Sequence, residues 1–141
     1  MSNAYLTLKR KQEKELSDFP MVFAFSQQQF NEGMIKLGLL PEDKDKVYSI
    51  PGGGFIRKTD SQALNDLIAR HAAEKQEAVD NDATGEGYIY DMFRYELANH
   101  EYGLTRELDD TLNALGYTFE EIEKSKKLTE GLKLAHKALV G

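Results

Sequence analysis

The 141-residue chain carries 18 Lys and Arg against 24 Asp and Glu, a formal net charge of −6, with 40% hydrophobic and 30% charged residues and no cysteine. That balance is ordinary for a globular protein, and a chain of this length buries roughly 68% of its unfolded surface. The composition excludes a disulfide framework, a thiolate metal site and a cysteine nucleophile. Neither a signal-peptide core nor a run near the roughly 20 apolar residues of a membrane helix is present, so one cytoplasmic globular domain over residues 1–141 is expected.

Residues 5–16 are polar apart from Leu6, Leu8 and Leu16, which predicts a weakly held surface helix with Lys9, Arg10, Lys11 and Lys14 solvated. Pro20 stops it, because proline lacks an N–H and disfavours helix in the residue before it. Met21 to Phe25 is a short apolar run that reads as a strand or a buried extended segment. Ser26 and Gln29 have the spacing of a capping box. A helix therefore starts there, with Phe30, Met34 and Leu37 inward and Gly38 as its stop.

Val47–Ile50 and Phe55–Lys58 bracket Pro51-Gly52-Gly53-Gly54, which predicts a β-hairpin. Asp60 to Asp80 reads as a long helix, capped by Asp60 or Ser61, with Leu64, Leu67, Ile68, Ala72 and Val79 on one stripe. After the turn cluster Asn81–Gly87, a helix from about Tyr88 to His100 turns Ile89, Met92, Phe93 and Leu97 inward. Leu104, Leu108, Leu112 and Leu115 define another helix, stopped by Gly116. Thr118 and Glu121 form a second capping box, and Leu128, Leu132, Ala135 and Leu139 mark a terminal helix. The expected fold is α+β, mostly α, with five or six helices around one short hairpin and no βαβ alternation.

Charge is unevenly distributed. Residues 1–58 hold 9 basic and 7 acidic groups, residues 59–141 hold 9 and 17, and residues 74–110 hold 11 acids against Lys75, Arg94 and Arg106 alone. Such a segment repels nucleic acid and attracts basic partners. Its tyrosines supply rigid amphipathic area, so Glu86, Tyr88, Asp91, Tyr95, Glu96, Glu101, Tyr102, Asp109 and Asp110 form the candidate partner-binding surface. Gly52, Gly53 and Gly54 with Arg57 and Lys58 offer an alternative, a small-ligand or nucleotide site built on backbone N–H groups, although neither a P-loop nor a dinucleotide fingerprint is present. His100 stands one helical turn from Glu96, His71 one turn from Glu74, and His136 near Lys133 and Lys137. A metal-dependent enzyme around His71, Glu96 and His100 is a third reading. No third ligand at matching spacing completes it, so neither metal nor cofactor is expected.

Three segments, DFPMVFAFSQQQFNEGMIKL (18–37), VYSIPGGGFIRK (47–58) and TGEGYIYDMFRYELANHEYGL (84–104), resemble a family of uncharacterised small proteins from bacteriophages and mobile elements of gut bacteria. The resemblance spans nearly the whole chain and names no catalytic residue. It implies an accessory protein of a bacterial host cell. Accessory proteins in that setting include inhibitors of host defence such as type II anti-CRISPRs. The expectation is therefore a non-enzymatic protein binder whose acidic surface blocks a basic partner, a CRISPR-associated RNA-guided nuclease being the most specific candidate, with no direct contact to nucleic acid or membrane.

Overall fold

The computed structural model describes residues 3–141. It contains helices α1 (Ala4–Ser17), α2 (Gln27–Lys36), α3 (Ser61–Asn81), α4 (Tyr88–Asn99), α5 (Tyr102–Thr105), α6 (Asp109–Leu115), α7 (Phe119–Lys124) and α8 (Lys126–Val140), with strands β1 (Val22–Phe23), β2 (Val47–Ile50) and β3 (Gly54–Arg57). The class is mostly α with a small antiparallel sheet, but the described residues form eight α-helices and not five or six. The extra members are short. Glu101 and Arg106 both take left-handed backbone (φ 59° and 61°), which cuts the single helix expected over Leu104–Leu115 into the one-turn α5 and the separate α6. Among the described residues no helix is long and apolar enough to cross a membrane.

The chain divides into two compact units, one of residues 1–11 and 73–141, the other of residues 12–72. Helices α1 and α3 each run through both.

In the second unit, Ser26 caps α2 by accepting the Gln29 N–H, while the Gln29 side chain accepts the N–H of Phe25, one residue earlier than the box predicts. Met34 and Leu37 are buried with Phe55, and Phe30 packs on the Phe55 ring at a centroid distance of 5.0 Å. The sheet order is β1-β3-β2, so the apolar run after Pro20 becomes an edge strand paired with β3 in the register Val22 to Phe55 and Phe23 to Gly54. The run is less buried than its composition suggests, since Phe25 is 79% exposed. The turn Pro51-Gly52-Gly53 needs glycine, because φ is 88° and 86° at Gly52 and Gly53. The buried stripe of α3 passes through Leu64 and His71, leaving Ile68 and Ala72 in solvent, contrary to expectation.

In the first unit, α4 packs along α8. Its Ile89, Met92, Phe93 and Leu97 are buried as their 3.6-residue spacing predicts, together with Leu112, Ile122, Leu128 and Ala135. Tyr5 of α1 joins this core, so the start of that helix is anchored rather than weakly held on the surface. Gly116 closes α6 in the left-handed conformation, and the Thr118–Glu121 capping box opens α7 with both of its bonds present.

The N-terminus of α4 is capped from a distance. Asp82 accepts four backbone N–H groups, those of Thr84 (3.3 Å) and Gly85 (2.9 Å) on Oδ1 and those of Gly87 (3.2 Å) and Ile89 (2.9 Å) on Oδ2. Partial burial pushes its pKa up, but the four N–H donors outweigh that and hold it below the usual carboxylate value. A depressed carboxyl contributes its stability above the unfolded pKa of about 3.9 and loses it as pH falls through the folded value. Asp82→Ala is therefore expected to cost about 1–2 kcal/mol between pH 5 and 8. The gap to the unsubstituted chain should close below about pH 4, as read by urea denaturation at each pH.

Candidate functional site

The acidic, tyrosine-rich stretch of the first unit separates into an interior part and an exposed part. Tyr88, Glu96 and Tyr102 are buried, which corrects their assignment to a docking surface. Glu96, 4% exposed, accepts the Tyr5 hydroxyl at 2.9 Å on Oε1 and faces His100 Nε2 across 3.3 Å on Oε2, while its backbone carbonyl accepts Thr111 Oγ1 at 3.3 Å. The Tyr102 hydroxyl shares a 2.7 Å hydrogen bond with His136 Nδ1. These groups are internal fastenings that tie α1, α6 and α8 to α4 and its continuation. Asp91 and Tyr95 are half-buried, and Asp91 accepts the Ala4 N–H at 3.0 Å, at the first turn of α1. Glu86 is exposed and lines a small cleft with Lys126, Lys127 and Glu130.

The remaining acids fall in one short stretch of the sequence. Glu101, Glu107, Asp109 and Asp110 are all exposed, and Arg106, the single base between them, turns its guanidinium back onto the carbonyls of Gly103 and Tyr102. Leu104 in their midst is 86% exposed, the most exposed large apolar side chain of the described residues. Two non-glycine residues in left-handed backbone, Glu101 and Arg106, flank it. Such positions cost of order 1–3 kcal/mol each and are retained where the surrounding structure imposes them, often at sites of interaction. Segment 101–110, an acidic loop that includes the one-turn α5 and runs into the first turn of α6, thus presents one exposed apolar side chain among its acids in the sequence. The sequence reading missed Leu104 as a surface residue because its spacing from Leu108 and Leu112 mimics an inward helical stripe. Gly103 beside it reads in the sequence as the end of the preceding helix and so gives no sign that the next one is broken.

The glycine hairpin belongs to the second unit and does not assemble an anion cradle. Arg57 donates Nε to Asp60 Oδ2 at 2.7 Å and Nη1 to the Leu37 carbonyl at 3.3 Å, and Lys58 Nζ stands 5.1 Å from the Tyr48 ring centroid. At about 3.3 Å per residue, β3 carries Arg57 roughly 10 Å from the turn. The glycines serve packing, since a Cβ at Gly53 would meet the Phe25 ring and one at Gly54 would meet Ile50 and Phe23, each inside 3 Å. The groove beside the turn, lined by Phe25, Phe30, Val47, Ile50 and Phe55 among others, holds no basic side chain.

The three residues of the metal-enzyme reading are distributed between the units. Glu96 and His100 lie in the first, whereas His71 lies in the second, where its Nε2 is 3.3 Å from Glu15 Oε1 and its carbonyl accepts Gln12 Nε2 at 3.0 Å. Glu15 in turn takes Arg70 Nη2 at 2.6 Å.

Residues 4–138 match a family model described as a family of unknown function, DUF7659. The chain belongs to the DUF7659 family. No curated protein and no solved structure matches it. The DUF7659 match takes in the acidic loop, the Glu96 fastening and the glycine hairpin, and the family's description attaches no role to any of them.

Proposed function

We propose that this DUF7659 chain is a non-enzymatic accessory protein of a phage or mobile element that works in the host cytoplasm by binding a basic bacterial protein through its 101–110 loop. An RNA-guided DNA endonuclease of a defence system is the most specific target. The observation that carries the reading is Leu104, 86% exposed in a ten-residue segment that also presents the exposed acids Glu101, Glu107, Asp109 and Asp110. An apolar side chain that fills a pocket, accompanied by charges that steer the encounter, is the arrangement of an interface anchor with its polar rim. A groove that holds nucleic acid is basic, and an acidic loop competes for it by complementary potential.

The test is a cleavage assay with purified RNA-guided nuclease, run with and without the chain at low and physiological salt. Inhibition by the unsubstituted chain is expected. The E101Q/E107Q/D109N/D110N variant should inhibit at least tenfold more weakly and with less salt dependence, and Leu104→Asp should lose inhibition without losing its far-UV circular dichroism. Glu86→Gln, beside Lys126 and Lys127, should behave as the parent. Undiminished inhibition by the fourfold variant removes the electrostatic mechanism, and absence of inhibition by the parent removes the nuclease as target.

A further inference from the structure

The second unit carries an open sheet edge beside an apolar groove, and the two together have the form of a receptor for an extended peptide. Strand β2 is the outer member of the order β1-β3-β2. The Ala24 N–H donates to the Gly53 carbonyl at 3.0 Å, which turns the backbone of Gly53, and hence of Phe55, toward β1. Alternation then directs Gly54 and Ile56 toward β2, where they pair with Ile50 and Tyr48. The N–H and C=O groups of Val47 and Ser49 are left on the open edge, and among the described residues neither makes a hydrogen bond outside the ladder. Unpaired edge groups of this kind are a template for a further strand.

The side chains of Val47 and Ser49 face a groove of about 540 Å³ floored by Phe30 and Phe55 and bordered by Phe25, Ser26 and Gln27. No lining residue is ionised. Lys44 Nζ stands 6.0 Å from the Phe30 ring centroid, and the first turn of α2 carries no acid. Ser26 satisfies only the Gln29 N–H of that helix end, and the N–H groups of Gln27 and Gln28 have no partner among the described residues. The positive helix end and Lys44 favour a negative group at that end of the groove.

We propose that β2 and this groove bind an extended peptide segment, which adds as a fourth strand to the Val47–Ser49 edge, inserts an apolar side chain over Phe30 and Phe55, and places a carboxylate at the N-terminus of α2. Main-chain bonding supplies the affinity and the groove supplies the selectivity. The reading involves the second unit alone and is independent of the acidic loop.

The experiment is selection from a randomised heptapeptide library with free C-termini on the full-length chain, followed by calorimetry with the selected peptides. Enriched peptides should alternate apolar and polar residues and carry an acidic side chain or terminal carboxylate at one end. N-methylation of the alternate amides that face β2 should weaken binding at least tenfold, whereas N-methylation shifted by one residue should not. Ser49→Pro removes the outward N–H at an edge position where proline is tolerated and should give the same loss. The peptide variants test the ladder without altering the protein, should that substitution disturb folding. Failure to enrich any peptide, selection of helix-forming sequences, or indifference to N-methylation overturns the proposal, as does concentration-dependent dimerisation abolished by Ser49→Pro, which would give the edge to a second copy.

Discussion

Glu96→Ala is expected to destabilise the first unit by about 3–4 kcal/mol, a large part of the stability of order 10 kcal/mol usual for 141 residues. Glu96 is 4% exposed, so its carboxylate relies on protein groups in place of water. Removing it leaves the Tyr5 hydroxyl without its 2.9 Å acceptor and takes the carboxylate oxygen 3.3 Å from His100 Nε2 away from a buried nitrogen that has no hydrogen-bond partner among the described residues. Each buried polar group left unsatisfied costs about 1–3 kcal/mol, and the lost methylenes add to it. Glu96→Gln keeps an amide oxygen for Tyr5 and should lose only about 1–2 kcal/mol, the difference between a charged and a neutral acceptor. Urea denaturation followed by far-UV circular dichroism measures both, and an alanine variant within 0.5 kcal/mol of the parent would show that the network contributes nothing to the fold.

The same network sets the alkaline limit. Burial, followed by the hydrogen bond and the charge of Glu96, pushes the Tyr5 hydroxyl far above its ordinary value, and burial with Tyr117 nearby pushes Tyr88 up to about 12. In the unfolded chain both titrate near 10. A group whose folded pKa is raised contributes its stability below the unfolded value and loses it as pH rises toward the folded one. Stability should hold through neutral pH and fall from about pH 10 upward, with Tyr5→Phe showing a shallower decline.

Gly131→Val is expected to be comparably damaging, about 3 kcal/mol or more, lowering the melting temperature by roughly 10 °C for a chain of this size. Gly131 sits in α8 where α4 crosses it. A Cβ there would overlap Ile89 Cγ2, stand 2.8 Å from the Gly85 carbonyl oxygen and 3.3 Å from the Ile89 backbone carbon. Two of these neighbours are backbone, so no rotamer change relieves the overlap and the helices must separate. Separation exposes Ile89, Phe93 and Ala135, which have no accessible surface. Alanine at 131 should produce a smaller loss of the same sign. Differential scanning calorimetry decides, and an unchanged transition for the valine variant would contradict so close a crossing.

Local signals carried the element boundaries where backbone chemistry is local. Ser26, Gly38, Gly116 and the Thr118–Glu121 box each act within four residues, and each does in the structure what its residue type requires. The inward face of α4 was legible for the same reason: Ile89, Met92, Phe93 and Leu97 repeat at the helical period with little to compete against them. The stripe of α3 was misread at Ile68 and Ala72, because a helix with apolar residues on two adjacent faces leaves the choice of buried face to its neighbours. The candidate surface was only partly legible, since composition locates a dense run of acids and tyrosines without assigning each to the interior or to solvent.

By itself, the amino-acid sequence determined the mostly helical class, the hairpin, the caps and the acidic bias of the 74–110 segment, because these depend on φ preferences, hydrophobic period and charge within a few residues. Tertiary structure alone decided that Glu96 is spent on Tyr5, that Asp82 gathers four N–H groups, and that Leu104 stands in solvent. The physical reason is that burial is a property of what else occupies the space. A carboxylate 91 residues along the chain from its partner has no local signature of being buried, and a leucine at helical spacing has none of being exposed once two left-handed residues break the helix beneath it.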